Sequence, residues 1–155
     1  MSAPAILTVI NDPEAEVRHV AVKALGKMKA IETEDAVANL LSDENGQVRE
    51  GAAWALGEMG ATKKAPQLKG SLSDINMHIR VAAAEALGKF GDPSGLPAIE
   101  AAIASNDLDA RVKAAWALSF IPTSSAQGLA TKTLDDGYLR VRLGAAASLL
   151  RSDRP

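Results

Sequence analysis

One residue spacing decides what this chain can fold into. Arginine recurs at Arg18, Arg49, Arg80, Arg111 and Arg142, each 31 residues from the last. Leucine follows the same interval at Leu25, Leu56, Leu87, Leu118 and Leu149, and alanine at Ala21, Ala52, Ala83, Ala114 and Ala145. A fourth column reads Ala24, Ala55, Ala86, Ala117 and Ser148. Five such units account for all 155 residues without an insertion. Fixed-period self-similarity of this length is the signature of stacked supersecondary units, each too small to bury its own apolar face. The expectation is one domain of five units, approximately 1–31, 32–62, 63–93, 94–124 and 125–155.

Within a unit the apolar spacing is helical. Val48, Ala52, Leu56 and Met59 fall on one helical face, as do Ile79, Ala83, Leu87 and Phe90 one unit later. Shorter pairs precede them: Ile6 with Ile10, Val37 with Leu41, Leu68 with Leu72, Ile99 with Ile103, Ala130 with Leu134. Each unit therefore reads as a helix of about ten residues, a tight turn and a helix of about fifteen. Gly60 and Gly91 stand where a left-handed cap would end the longer helix, and Pro93 and Pro122 stop continuation. No alternating strand pattern occurs. The fold class is all-α, a right-handed α-solenoid of helical hairpins.

Composition agrees and removes several functions. Thirty alanines against 3% aromatic residues suit helices that pack close together. The absence of cysteine excludes a disulfide scaffold, a thiolate metal site and a cysteine nucleophile. A net charge of -2 offers no basic surplus for nucleic acid, so no nucleic-acid partner is expected. The apolar run from Ala5 to Ile10 has no basic residue before it and is too short for an export signal or a membrane span. The reading is a cytoplasmic protein with no membrane contact.

Six residues before each column arginine stands Asp12, Asp43, Asp74, Ser105 or Asp136. An acid in that turn can cap helix N–H groups while bridging to a guanidinium of its own or the adjacent unit. The five arginines thus read as a structural ion-pair ladder, not as phosphate ligands. Units such as DENGQVREGAAWALGEMG and DINMHIRVAAAEALGKFGDP resemble the HEAT-like repeats of the phycobilisome lyase type. The resemblance covers all five units and implies the solenoid fold; as a functional implication it brings a bilin lyase or bilin-chaperone subunit. Departures are Ser105 for Asp, Ala110 for Val, and Ser119 and Leu150 for Gly, which suggest looser fourth and fifth units.

Chemistry-bearing constellations are missing. His19 and His78 are the only histidines and lie two units apart, too far to share a metal. Relatives of this fold that hydroxylate hypusine hold iron with repeated His-Glu pairs, and here no histidine precedes a glutamate. Gly-rich phosphate loops, GxSxG and HExxH are absent. No catalytic residue, metal or cofactor is assigned.

Core columns are fixed by packing, so recognition should sit in columns that vary along one helix face. On the longer helix that face runs Glu16, His19, Lys23, Lys27; then Gln47, Glu50, Trp54, Glu58; then His78, Val81, Glu85, Lys89. The fourth unit adds Asp109, Val112, Trp116 and Phe120, with Lys113 beside them, and the fifth Arg140, Leu143, Ala147 and Arg151. By resemblance to HEAT-like solenoids this helix lines the concave side. Trp54, Trp116 and Phe120 place three of the five aromatics there. The mixed charge suits a protein or peptide, held by Trp54, Trp116 and Phe120 with Lys23, Glu58, Glu85, Lys89 and Lys113 around them. Function reads as a non-enzymatic interaction scaffold. Leu7 and Val9 at one end, and Leu143, Leu149 and Leu150 at the other, leave both ends without the polar faces of a capped solenoid and raise self-association.

Overall fold

The computed structural model describes residues 2–152, and among them there are only helices and turns. Ten α-helices alternate short and long: α1 (Ala3–Leu7), α2 (Ala15–Met28), α3 (Glu34–Asn39), α4 (Gly46–Met59), α5 (Ala65–Ser71), α6 (Met77–Lys89), α7 (Leu96–Ile103), α8 (Leu108–Ala117), α9 (Ser124–Thr133) and α10 (Leu139–Ser152). The long helices begin at Ala15, Gly46, Met77, Leu108 and Leu139, the same 31-residue interval as the sequence columns. Each even-numbered helix packs on the short helix before it and on the long helices of neighbouring hairpins. The chain is an all-α solenoid.

The short arms are more broken than periodicity suggested. Tight 3₁₀ turns at Ile31–Thr33, Thr62–Lys64 and Pro93–Gly95 lead into α3, α5 and α7. The long helices end as the glycines predict: Gly60 (φ 68°) and Gly91 (φ 80°) take the left-handed conformation that no other residue adopts without strain. In the first hairpin Lys29 occupies that position at φ 51°.

Side-chain size sets how near the long helices come. A β-carbon added at Gly26 would lie 2.8 Å from Ala55, and one at Gly57 would lie 2.9 Å from Ala86. Beneath these joints Leu25, Val37, Val48, Leu56, Leu68 and Leu87 are fully buried in one core that runs through the first three hairpins. A second core around Ile99, Ala114, Leu118 and Ile121 serves the later ones.

The turn acids and column arginines form a ladder on one edge, and its geometry refines the sequence reading. Arg18 Nε and Nη2 donate to Asp43 Oδ2 and Oδ1, both at 2.8 Å, while Arg18 Nη1 donates to the carbonyls of Asp12 and Pro13 at 2.9 Å. Arg18 therefore pairs with the acid of the next hairpin and braces its own turn through backbone oxygens. Arg49 repeats this on Asp74 and on the carbonyls of Asp43 and Glu44, whereas Arg111 meets Asp136 through Nη2 alone and its buried Nε has no hydrogen-bond partner among the described residues. The capping expectation needs correction: Asp43 accepts from the Asn45 N–H within the turn, and it is Asn45 whose side chain caps α4. Asn76 and Asp107 cap α6 and α8 in the same way. The acid stands two residues before the cap position, and its Oδ1 accepts the N–H of the cap residue itself instead of a helix N–H.

Candidate binding groove

The long helices place their variable columns on a concave surface. A cavity of about 440 Å³ crosses α2, α4, α6 and α8, with Lys23, Glu50, Trp54, His78, Glu85 and Lys113 in its walls. Its curvature can be read from one contact. Lys113 Nζ donates to Glu50 Oε1 at 3.0 Å although the two residues lie 63 positions, two hairpins, apart. On a flat layer those helices would stand roughly 16–20 Å apart with α6 between them. Only a face that bends inward over α6 lets the side chains meet.

This bending overturns two of the exposed positions expected from sequence. Val81 is 1% exposed and Val112 6%, so both belong to the packed joints and not to a recognition surface. In the first two hairpins the same column carries His19 and Glu50, which remain half-exposed. The column lies at the boundary of the face, and an apolar occupant falls inward against its neighbour.

Six of the eight sequence-predicted site residues form two groups, with Lys113 and Trp116 apart from both. In the first, Trp54 lies half-buried over Gly26, its ring filling the space a β-carbon would take, with Lys23 Nζ 3.5 Å from the ring centroid. Burial holds the Lys23 ammonium below its ordinary pKa despite the Glu50, Glu58 and Glu85 carboxylates. In the second, Lys89 Nζ sits 2.6 Å from both Glu58 Oε1 and Glu85 Oε1 and 4.6 Å from the Phe120 ring centroid. Burial pulls its pKa down, but the two glutamates overcome that and leave it raised. Lys113 behaves likewise between Glu50 and Asp109. Glu58, Glu85 and Lys89 are thus paired with one another, and Lys113 with Glu50 and Asp109, in each case through one contact within a helix and one across a hairpin boundary.

Trp116 is the open residue, 48% exposed. It shares a cavity of about 520 Å³ with Phe120, Ala147, Leu150 and Arg151. The i, i+4 pairing of Trp116 with Phe120 is modified, because α8 stops at Ala117 and Leu118–Phe120 tightens into a 3₁₀ turn. That tightening brings Phe120 between two cations, Lys89 and, at 4.4 Å, Arg151. Periodicity places Arg151 on the recognition face, in the column of Lys27, Glu58, Lys89 and Phe120, without singling it out as a site residue. Among the described residues no group of histidines and carboxylates could hold a metal ion, and no helix is long and apolar enough to cross a membrane.

Known structures share this architecture. One chain in the complex of CpcE and CpcF of phycocyanin lyase from Nostoc sp. PCC7120 is similar over 99% of this chain, with 23% identity and a TM-score of 0.76. The match covers 65% of that longer chain. A designed armadillo repeat protein in complex with the peptide (KR)4 is similar over 97% of this chain and 81% of its own, with 16% identity and a TM-score of 0.63. Human deoxyhypusine hydroxylase matches 97% of this chain and 84% of its own at 15% identity and a TM-score of 0.50. At these identities the likeness is one of fold. No curated protein matches the sequence. HEAT repeats match residues 3–77 and 72–151, so that nearly every hairpin described above is accounted for, and the chain belongs to the HEAT repeat family.

Proposed function

We propose that the chain is a non-enzymatic scaffold that holds a protein or peptide segment in the groove of its long helices. The observation that carries this reading is the groove's internal charge pairing. Lys89 with Glu58 and Glu85, and Lys113 with Glu50 and Asp109, fix the walls before anything binds. A wall so neutralised has little long-range pull on a polyanion, which agrees with a protein partner over nucleic acid. Trp54 and Trp116 then serve as anchors at either end, with Phe120 beside Trp116 and Lys23 against Trp54. The designed armadillo protein with its bound peptide supports the general plan for a solenoid of this kind.

A peptide library selected on the immobilised protein tests the proposal. Trp116→Ala should weaken selected peptides by about 2 kcal/mol, or roughly 30-fold in Kd, with an unchanged melting temperature. Trp54→Ala should weaken them and also lower the melting temperature, since that ring packs against the core. Peptides that bind both variants as well as the parent would remove the groove from the proposal.

A second reading is a bilin lyase or bilin-chaperone subunit. It is favoured by the fold likeness to the phycocyanin lyase complex and by the cavity where Arg151 flanks Trp116 and Phe120, aromatic walls with a cation within reach of a propionate. Titrating a bilin and recording visible absorbance separates the two: a shifted, induced band that Arg151→Ala abolishes would support it, and an unperturbed spectrum would remove it.

A further inference from the structure

The two end faces of the solenoid carry the two halves of one joint. At the C-terminal face Arg142 Nη1 donates to the Asp136 carbonyl at 2.8 Å, as Arg18, Arg49 and Arg80 do within their own turns, but among the described residues its guanidinium has no carboxylate at ion-pair distance. At the N-terminal face Asp12 Oδ1 accepts the Glu14 N–H at 2.9 Å, the arrangement that Asp43 and Asp74 adopt when they receive an arginine, yet among the described residues no guanidinium pairs with its carboxylate. One end therefore presents a preset acceptor and the other a preset donor of the same ladder rung.

The surfaces around them match in the same sense. Val17 is exposed, whereas its counterparts Val48, Ile79 and Val141 are fully buried against the preceding hairpin. With Val9 and Val20 it opens an apolar hollow of about 620 Å³ rimmed by Glu14 and Glu16. The opposite face exposes Leu139, Leu143 and Leu150 beside Arg140 and Arg151. Like faces would oppose acid to acid or arginine to arginine, so charge selects unlike ends.

We propose that the occupant of the N-terminal hollow is the C-terminal face of a second copy of this chain. Arg142 of one copy closes the rung on Asp12 of the next, and the leucines of α10 cover Val17 and Val20. In that register Val20, which stands in the column of Gly51 and Gly144, faces the small Ala146. Inside the chain this column also holds the larger Lys113. Leu150 stands where Gly26, Gly57 and Gly88 allow the internal joints to close, so the joint between copies is looser than those within one. Joining unlike faces produces an open chain unless the rotation happens to close a ring. This inference uses residues outside the groove and stands or falls independently of it.

Sedimentation equilibrium of the full chain over roughly 10 µM to 1 mM tests it. The weight-average mass should rise with concentration past that of a dimer, and added salt should reduce the rise. Asp12→Arg and Arg142→Asp should each weaken association by about tenfold or more, and an equimolar mixture of the two should recover it. Val20→Asp, at a position 61% exposed, should also abolish association while leaving the circular dichroism spectrum unchanged. A chain monomeric throughout the range would overturn the proposal. So would a closed dimer indifferent to both charge reversals.

Discussion

The joint between the second and third hairpins and the joint between the third and fourth come from the same repeat but are held by different forces. In the former, Arg49 clasps Asp74 on the ladder edge and Gly57 lets Ala86 approach. In the latter Ser105 replaces the acid, so Arg80 braces only its own turn, through the carbonyls of Asp74 and Ile75. Other polar contacts span that joint instead. His78 Nε2 meets Asp107 Oδ2 at 3.0 Å, and Lys113 reaches back to Glu50 over the third hairpin. A missing rung at the edge thus coincides with crosslinks across the groove. The lesson is that a repeat fixes where its helices lie, while individual substitutions decide which polar contacts each joint has. The second–third joint keeps both its rung and a groove pair, Lys89 with Glu58; among the described residues the third–fourth joint keeps only groove and turn contacts.

Breaking the stronger joint should have the larger effect. Asp74→Asn keeps the acceptor for the Asn76 N–H but turns an amide toward Arg49, and should cost about 1–3 kcal/mol in urea or thermal unfolding. A loss no greater than that of an exposed-residue control would show that the ladder is ornamental to stability. Mending the weaker joint is the complementary experiment. Ser105→Asp should supply the absent rung and raise stability by up to about 1 kcal/mol, a gain that Arg80→Ala in the same chain erases. If the gain survives without Arg80, it comes from the turn and not from the rung.

The smallest change is in acid sensitivity. The Arg18 guanidinium holds Asp43, and Arg111 holds Asp136, below the usual carboxylate range. Asp74 stays low although burial pushes it up, because Arg49 and the Asn76 N–H outweigh that push. Asp92, hydrogen-bonded by Lys69 and Ser94, is lowered to about 2. A carboxylate depressed in the folded state gives its full stabilisation above its unfolded value of about 3.9 and loses it as pH falls through the folded value. Stability should therefore be level above about pH 5 and decline from pH 4 toward pH 2. Asp74→Asn should flatten that limb and Ser105→Asp should steepen it, as read from melting temperatures across the range.

Much of this was written in the residues, and the exceptions have physical causes. Invariant arginine, leucine and alanine columns announce the period because packing admits one side-chain size at each. The direction of the ladder was open in sequence, since Asp12 and Asp43 are equally plausible partners for Arg18 until the stacking offset is known. Asn45, Asn76 and Asp107 share a column yet were overlooked as caps, because the acid two residues earlier offered the same chemistry. Val81 and Val112 were misplaced because they lie at the border of a face, where the bend of the layer and not helical phase determines exposure. The Glu85–Lys89 and Asp109–Lys113 pairs stand at i, i+4 on one helix, but Glu58–Lys89 and Glu50–Lys113 depend on distances between hairpins that no single-helix periodicity contains.

The Glu50–Lys113 contact has a mechanical consequence. It acts as a tie between the second and fourth hairpins, with the third as the arch beneath it. Straightening the solenoid requires the tie to part, and a ligand lying across it must either thread beneath the lysine or displace it. Ionic strength would then adjust the stiffness of the arch, and with it the width of segment the protein can admit.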